Sequence, residues 1–339
     1  MKASRPAGRA AALALAMGLA ALGGALGATL GAGASAAQEG RGELAVLMKT
    51  LANPFWGAMG EGVEDGAEAL GLPVVVQAVE SDQAAEPQLN VCLAMLERAP
   101  AALVTAAINS TNLLPCLAQA EARGIPVVDL DGNLDPAVLA AEGIAIAFRI
   151  GSDNEAAGAQ AADHLAGLLG EDAAGPVLVI EGLSGNVTGQ ARARGFAERL
   201  AERAPGLEIV ASLPGDWDRG RAQTITVDTL TRHPDLAAIF AANDGMALGA
   251  VEAVEAAGLG ERVVVIGVDG NSDAVASIRA GRLDASVAQL PYLVGYQAVE
   301  GVQKLLAGEE VPAEVVVPTL VLTREVLEAG EEPLLEHVR

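Results

Sequence analysis

The chain has 339 residues, 51% of them hydrophobic, with a formal charge of −23. That balance excludes a nucleic-acid or anionic-membrane binder, since such partners are met by clustered Lys and Arg. The length is more than one hydrophobic core usually serves, so two domains are expected.

Residues 1–36 read as a signal peptide. Lys2, Arg5 and Arg9 precede a run of Ala, Leu and Gly that ends in small residues at "AGASAAQEG". This is a charged n-region, an apolar h-region and an A-x-A site, with the cut after Ala36. The alternative, a retained membrane anchor, sits poorly with a Gly-rich run holding few large apolar residues. Loss of the three cations takes the formal charge from −23 to −26, and the mature protein is expected to be soluble and exported.

From residue 43 short β-branched runs alternate with Ala-rich amphipathic stretches. "ELAVLM" (43–48) leads to a helix through Ala69, "PVVVQA" (73–78) to a helix near 84–98, "AALVTAA" (101–107) to a helix near 111–123, and "IPVVDL" (125–130) follows. Repeated βαβ units imply a parallel sheet covered on both faces. Segment 143–153, "GIAIAFRIGSD", reads as a crossing to a second lobe. There "GPVLVIEG" (175–182), "LEIVASL" (207–213), "LAAIFAA" (236–242) and "RVVVIGVDG" (262–270) are four more strands. "ASVAQLPYLVG", near 289, reads as a crossing back; a helix near 292–306 and the run "VVVPTLVLT" finish the chain. The expected fold is α/β, with two Rossmann-like lobes. One lobe takes residues 43–150 plus 290–316, the other 151–289 plus 317–339.

In open parallel sheets ligands bind outside the carboxyl ends of the strands. Past the first strand come Lys49, Asn53, Phe55 and Trp56, and past the fourth Asp131. The second half supplies Arg192 from "LSGNVTGQARARG", Trp217 from "PGDWDRG", Asn243 from "ANDGM", Asp269 from "VIGVDG" and Gln289 at the second crossing. Only 2% of the chain is aromatic, yet Phe55, Trp56 and Trp217 all fall at strand ends. Planar carboxylate, amide and guanidinium groups suit adjacent ring hydroxyls, and aromatic faces suit the C–H patches of a sugar. Each residue also has a plainer reading. Asn53 and Asn243 can be helix N-caps, Lys49 a solvated side chain, Arg192 (like its neighbour Arg194) a surface charge, Trp217 a cover for a strand edge, and Asp269 and Gln289 hinge hydrogen-bonders.

Cys92 and Cys116 fall on successive helices of one sheet face, so a disulfide is expected in an exported protein; two small buried thiols are the alternative. "GLSGNVTG" (182–189) is Gly-rich after a strand but matches neither phosphate-binding pattern. "DLDGNLD" (129–135) has alternating oxygens but lacks the Gly and Glu positions of a calcium loop. His164, His233 and His337 show no metal-ligand spacing. Neither a metal nor a cofactor is expected, nor a catalytic residue, although Asp131 and Asp269 could in principle form a glycosidase pair.

The stretches "LMKTLANPFWGAMGEGVEDGAEALG", "VIEGLSGNVTGQARARGFAERL", "PGDWDRGRAQ", "IFAANDGMALGAVEAVEAAG" and "VVVIGVDGNSDAVASIRAGRLDASVAQLP" resemble the ribose/allose-type periplasmic sugar-binding proteins, the substrate receptors of ATP-driven sugar importers. Within that family "KTLANPFW" and "DWDR" are most similar to the allose-type members. The resemblance implies a type I periplasmic binding protein fold with a three-strand hinge, and a monosaccharide in the cleft. It implies ligand contacts from Asn53, Phe55, Trp56, Asp131, Arg192, Trp217, Asn243, Asp269 and Gln289, with Lys49 added by the allose-type pattern. It also implies a monomer in the periplasm that captures sugar without transforming it and delivers it to an ABC permease; a chemoreceptor or sensor is a second partner of that kind. Gly132 departs from the pattern, standing where the ribose type carries Arg and the allose type an acid. Aldose and cyclitol ligands both remain open.

Overall fold

The run Leu44–Thr50 is buried at all seven positions, as a parallel strand covered on both faces requires. The computed structural model describes residues 42–339; the expected signal peptide, 1–36, lies outside the described residues. In chain order the first half is β1 (Leu44–Thr50), α1 (Pro54–Leu70), β2 (Val74–Val79), α2 (Ala85–Leu96), β3 (Ala102–Thr105), α3 (Leu114–Ala122), β4 (Val127–Leu130), α4 (Pro136–Glu142) and β5 (Phe148–Ser152). The second half repeats the beat with α5 (Asn154–Leu169), β6 (Gly175–Glu181), α6 (Val187–Arg203), β7 (Leu207–Pro214), α7 (Arg219–Arg232), β8 (Ala238–Ala241), α8 (Asp244–Ala256), β9 (Val264–Asp269), α9 (Ser272–Arg279) and β10 (Ala285–Ala288). It closes with α10 (Pro291–Leu306), β11 (Glu314–Val317), β12 (Leu320–Thr323), α11 (Arg324–Ala329) and a 3₁₀ turn, Pro333–His337.

Two six-stranded sheets result, ordered β2-β1-β3-β4-β5-β11 and β7-β6-β8-β9-β10-β12. Strand order reverses between β1 and β3, and again between β6 and β8, so each lobe has a topological switch point where a crevice opens. Three segments cross between the lobes. The first follows β5, the second is Gln289–Leu290 before α10, and the third is Pro318–Thr319 between β11 and β12.

Segment 143–153 is more than the crossing expected of it. It contains β5, which pairs in parallel with both β4 and β11. The run "VVVPTLVLT" likewise divides. Its first half joins the first sheet and its second half runs antiparallel to β10 in the other sheet. Pro318 stands at the break, where its missing N–H would interrupt a continued ladder. The chain's last turn departs from the expected 317–339 grouping. His337 stacks on Tyr292 of α10 at 6.4 Å, and Arg339 lies 4.5 Å over the same ring, so the tail returns to the first lobe.

Close helix crossings set the frame around the cleft. A Cβ on Gly158 of α5 would come 2.0 Å from the Arg192 carbonyl, and one on Gly195 of α6 would come 2.0 Å from the Glu155 carbonyl. Glycine at both contacts lets α5 and α6 touch backbone to backbone, which brings Asn154 within reach of the Arg192 guanidinium. On the other lobe Cys92 of α2 and Cys116 of α3 form a disulfide, with Cα atoms 6.1 Å apart. Both sit fully buried in the cluster of Leu47, Leu96, Leu103 and Leu117.

Candidate functional site

The side chains of the site come from strand ends, the loops that follow them and the first two turns of helices. Asn53 caps α1, its Oδ1 accepting from the Phe55 N–H at 3.0 Å, and Pro54 starts the helix with φ already set. That fixes the direction in which Phe55 and Trp56 leave the chain. Their rings meet edge to face, 4.9 Å apart and at 87°. Lys49, at the end of β1, places its ammonium 4.8 Å over the Trp56 ring and 3.8 Å from Asp131 Oδ2. It is only 5% exposed. Burial pulls its pKa below the lysine range, while the charges of Asp131 and Asp82 pull it back.

Across the cleft Arg192 is anchored through Nε and Nη1. Its Nε donates to Asn154 Oδ1 at 2.8 Å, and Nη1 donates to the Ala242 carbonyl at 2.7 Å and to Asp269 Oδ1 at 3.3 Å. Its guanidinium carbon lies 5.8 Å from the Trp217 ring. Gln289 Nε2 donates to the same Asp269 oxygen at 2.6 Å. Burial pushes the Asp269 carboxyl up to about 7, against the pull of Arg192 and Gln289. Behind it Asp244 is fully buried, accepting from Ser286 Oγ at 2.6 Å and from the Asn271 N–H at 2.8 Å. Burial, with the charge of Asp269, raises it well above the carboxylate range.

The Gly-rich stretch "GLSGNVTG" turns out to be a seat for an aromatic ring. A Cβ on Gly182 would fall 2.1 Å from the Trp217 indole, and one on Gly189 2.9 Å from it. The glycines keep the floor flat so that the ring can lie against it. Several backbones here are strained. Asp131 (φ 68°), Asp216 (φ 53°), Trp217 (φ 62°), Asp269 (φ 130°) and Leu290 (φ 55°) all have positive φ. Such conformations cost of order 1–3 kcal/mol each and collect where function needs them.

These groups enclose one cavity between the lobes. About 320 Å³ there is not filled by protein atoms, the scale of one small ring. Nine of the ten residues singled out from the sequence line it: Lys49, Asn53, Phe55, Trp56, Asp131, Arg192, Trp217, Asn243 and Asp269. Gln289 stands one step behind, holding Asp269. Asn243 combines both of its readings, capping α8 through the Met246 N–H at 2.9 Å while lining the cavity. Arg194 is a surface group, paired with Glu155. Gly132 faces a separate groove beside the hinge. Two lining residues escaped the sequence reading, Asp82 and Thr188. Asp82 follows β2 in "VESDQ" and obeys the same strand-end rule as the others; Thr188 lay in the stretch set aside as a phosphate-loop decoy.

The lobes touch around the cavity. Asn186 Nδ2 of the second lobe donates to Asn133 Oδ1 of the first at 2.8 Å, and Thr188 Oγ1 donates to the same oxygen at 3.3 Å. Asn133 in turn donates to Asp131 Oδ2 at 3.2 Å. Gln83 reaches the Asp216 carbonyl at 3.4 Å. Two open sheets, switch-point crevices facing one another, and a polar cavity closed by cross-lobe bonds are the architecture of a hinged receptor.

A periplasmic binding protein domain matches residues 44–310. The chain belongs to the periplasmic binding protein family. It is 38% identical over 253 residues to the D-allose-binding periplasmic protein of Escherichia coli strain K12, covering 75% of this chain and 81% of that one. The ribose import binding protein of Haemophilus influenzae is 35% identical over 293 residues, covering 85% of this chain and 94% of the relative. Among solved structures, a periplasmic solute-binding protein of an ABC transporter from Actinobacillus succinogenes 130z, with bound D-allose, superposes with a TM-score of 0.80 at 33% identity. That match covers 85% of this chain and 100% of the other. The chain is thus a periplasmic binding protein whose relatives are the sugar-binding components of ABC importers.

Proposed function

We propose that this periplasmic binding protein captures one neutral monosaccharide of the allose/ribose type between its lobes and delivers it to an ABC permease. The observation that carries this reading is the cavity wall. Trp56 from one lobe and Trp217 from the other flank a ring-sized space lined otherwise by Phe55, the Thr188 hydroxyl, and carboxylate, ammonium, guanidinium and amide groups. Lys49, Asn53, Phe55, Asp131, Arg192, Asn243 and Asp269 contact the ligand, and Gln289 orients Asp269. Burying these groups without hydroxyl partners is costly, so a sugar lacking one hydroxyl is rejected. A micromolar affinity needs about 8 kcal/mol, within reach of several charge-assisted hydrogen bonds plus stacking.

The protein performs no chemistry on the sugar. Supporting this, Asp131 is held beside Lys49 and Asp269 beside Arg192, as suits carboxylates that accept hydrogen bonds from hydroxyls. It works in the periplasm as a monomer, its leader removed. The large exposed hydrophobic residues, Leu51, Leu168, Val227, Leu306 and Val316, fall on five different segments, as a monomer allows. Calorimetry with D-allose and D-ribose tests the reading. The wild type should bind at least one of them, and Trp217→Ala and Asp269→Ala should each weaken binding about tenfold or more. Unchanged affinity in both variants would remove the site.

A further inference from the structure

The cavity is not equally closed on all sides. Lys49, Phe55, Trp56, Asp131, Arg192 and Asp269 are each 5% exposed or less. On the hinge side, where Asp131 and Thr188 also border the outer groove, the bonds among Asn133, Asn186 and Thr188 seal the passage. On the opposite side Asn53, Asp82, Trp217 and Asn243 line both the cavity and an outer chamber, and the first three of these are only partly buried. A ring filling the cavity can therefore extend a substituent in one direction, past Asp82 into that chamber.

Asp82 is the one charged group at this opening. Its Oδ1 accepts from Trp56 Nε1 at 3.1 Å. A carboxylate has about four acceptor positions, so this leaves room for a hydroxyl donor from a ligand. In the chamber wall Glu80, Asp216, Asp218 and Asp273 outnumber the cation Arg219, which disfavours an anionic arm such as a phosphate.

We propose that Asp82 is a specificity residue of the site, accepting a hydrogen bond from the hydroxyl of an exocyclic hydroxymethyl arm that leaves the sugar ring through this opening. The inference rests on the monosaccharide reading and adds to it. The site prefers an aldohexose to the pentose of the same ring configuration. D-Allopyranose and D-ribopyranose form such a matched pair, since they differ only in that arm, and 6-deoxy-D-allose keeps the arm's carbon but lacks its hydroxyl.

The test is calorimetry of the full mature chain with these three sugars, for the wild type, Asp82→Asn and Asp82→Ala. The wild type should bind D-allose at least about tenfold more tightly than 6-deoxy-D-allose, the effect of losing one hydrogen bond to a charged acceptor. Both substitutions should compress that ratio below about threefold. Asp82→Asn keeps an oxygen for the Trp56 indole, so it separates loss of the hydroxyl partner from displacement of the ring. Because the ratio is taken within each variant, a general weakening of the site cancels. A wild-type ratio near one, or a tenfold ratio that survives both substitutions, overturns the assignment. Binding of D-ribose alongside such a result would leave the monosaccharide reading standing, whereas a wild type that binds none of the three sugars would end both.

Discussion

Trp217 holds a left-handed backbone and lies flat on Gly182 and Gly189. The indole is positioned by the absence of side chains beneath it as much as by its own loop. Gly182→Ala should accordingly act as a binding mutation although it touches no ligand. Its new methyl would sit 2.1 Å from the ring and must push it into the cavity. Sugar affinity should drop about tenfold or more while far-UV circular dichroism is retained; wild-type affinity would show that the ring can slide without cost. Residues such as Asp131 and Asn243 were legible from sequence because the end of a parallel strand is where side chains can face a cleft. Asp82 obeyed the same rule, yet its loop carries no aromatic or Gly signal to draw the eye. The role of Gly182 was illegible, since it depends on a tryptophan 35 positions later in the chain.

Asp129 gives a second residue-scale prediction. It is fully buried on β4, neither carboxyl oxygen has a hydrogen-bond partner, and Arg149 stands 3.6 Å away. Burial pushes it up to about 7, offset in part by Arg149 and Lys49, while Asp131 adds to the rise. The folded pKa lies above the unfolded one, so the folded chain binds the proton more tightly. The resulting stability is full below the unfolded pKa of about 3.9 and is lost as pH rises through about 7. Asp129→Asn should therefore flatten the decline of the melting temperature between about pH 4 and pH 7. Asp269, shifted in the same direction, leaves a residual slope. An undiminished slope in the variant would assign the dependence elsewhere.

At the scale of elements, the disulfide ties α2 to α3 across a separation of 24 residues. Closing a loop of that size is worth about 3 kcal/mol in the chain-entropy model. Replacing both cysteines with alanine should lower stability by roughly that amount and abolish the sensitivity of the melting temperature to reductant. A melting curve indifferent to both would mean the surrounding Leu cluster already holds the helices. The sequence carried the candidate pair because α2 and α3 flank one strand, β3, on a common face. It could not carry the fate of "VVVPTLVLT", where a single β-rich run serves two sheets; only the positions of β5 and β10 decide that. The reading of 143–153 as a plain connection missed β5 for a related reason. "FRIGS" alternates polar and apolar residues near the edge of its sheet, where continuous apolar runs are not required.

For the whole molecule, closure depends on few polar contacts. Asn133 is the hub, accepting from Asn186 and Thr188 across the cleft while donating to Asp131 on its own side. Asn133→Ala removes one cross-lobe acceptor; Asn186 keeps its 3.4 Å bond to the Ile108 carbonyl and its cap on the Gly189 N–H. Sugar affinity should weaken about three- to tenfold, as expected for one or two neutral hydrogen bonds. The radius of gyration of the sugar-bound form, by small-angle scattering, should move towards that of the sugar-free protein. Equal compactness and affinity in variant and wild type would shift the source of closure to the ligand alone. The two-lobe division was readable from the restart of the βαβ rhythm near residue 150. Which atoms clasp was not, because Asn133 and Asn186 meet only after both lobes have folded and swung together.

The shared run of β11 and β12 has a bearing on biogenesis. Both sheets wait on strands drawn from residues 314–323, so a growing polypeptide that stops short of that point has two unfinished edges and no completed half. The two lobes are thereby coupled through one short segment, and its loss would bare an edge in each sheet at once.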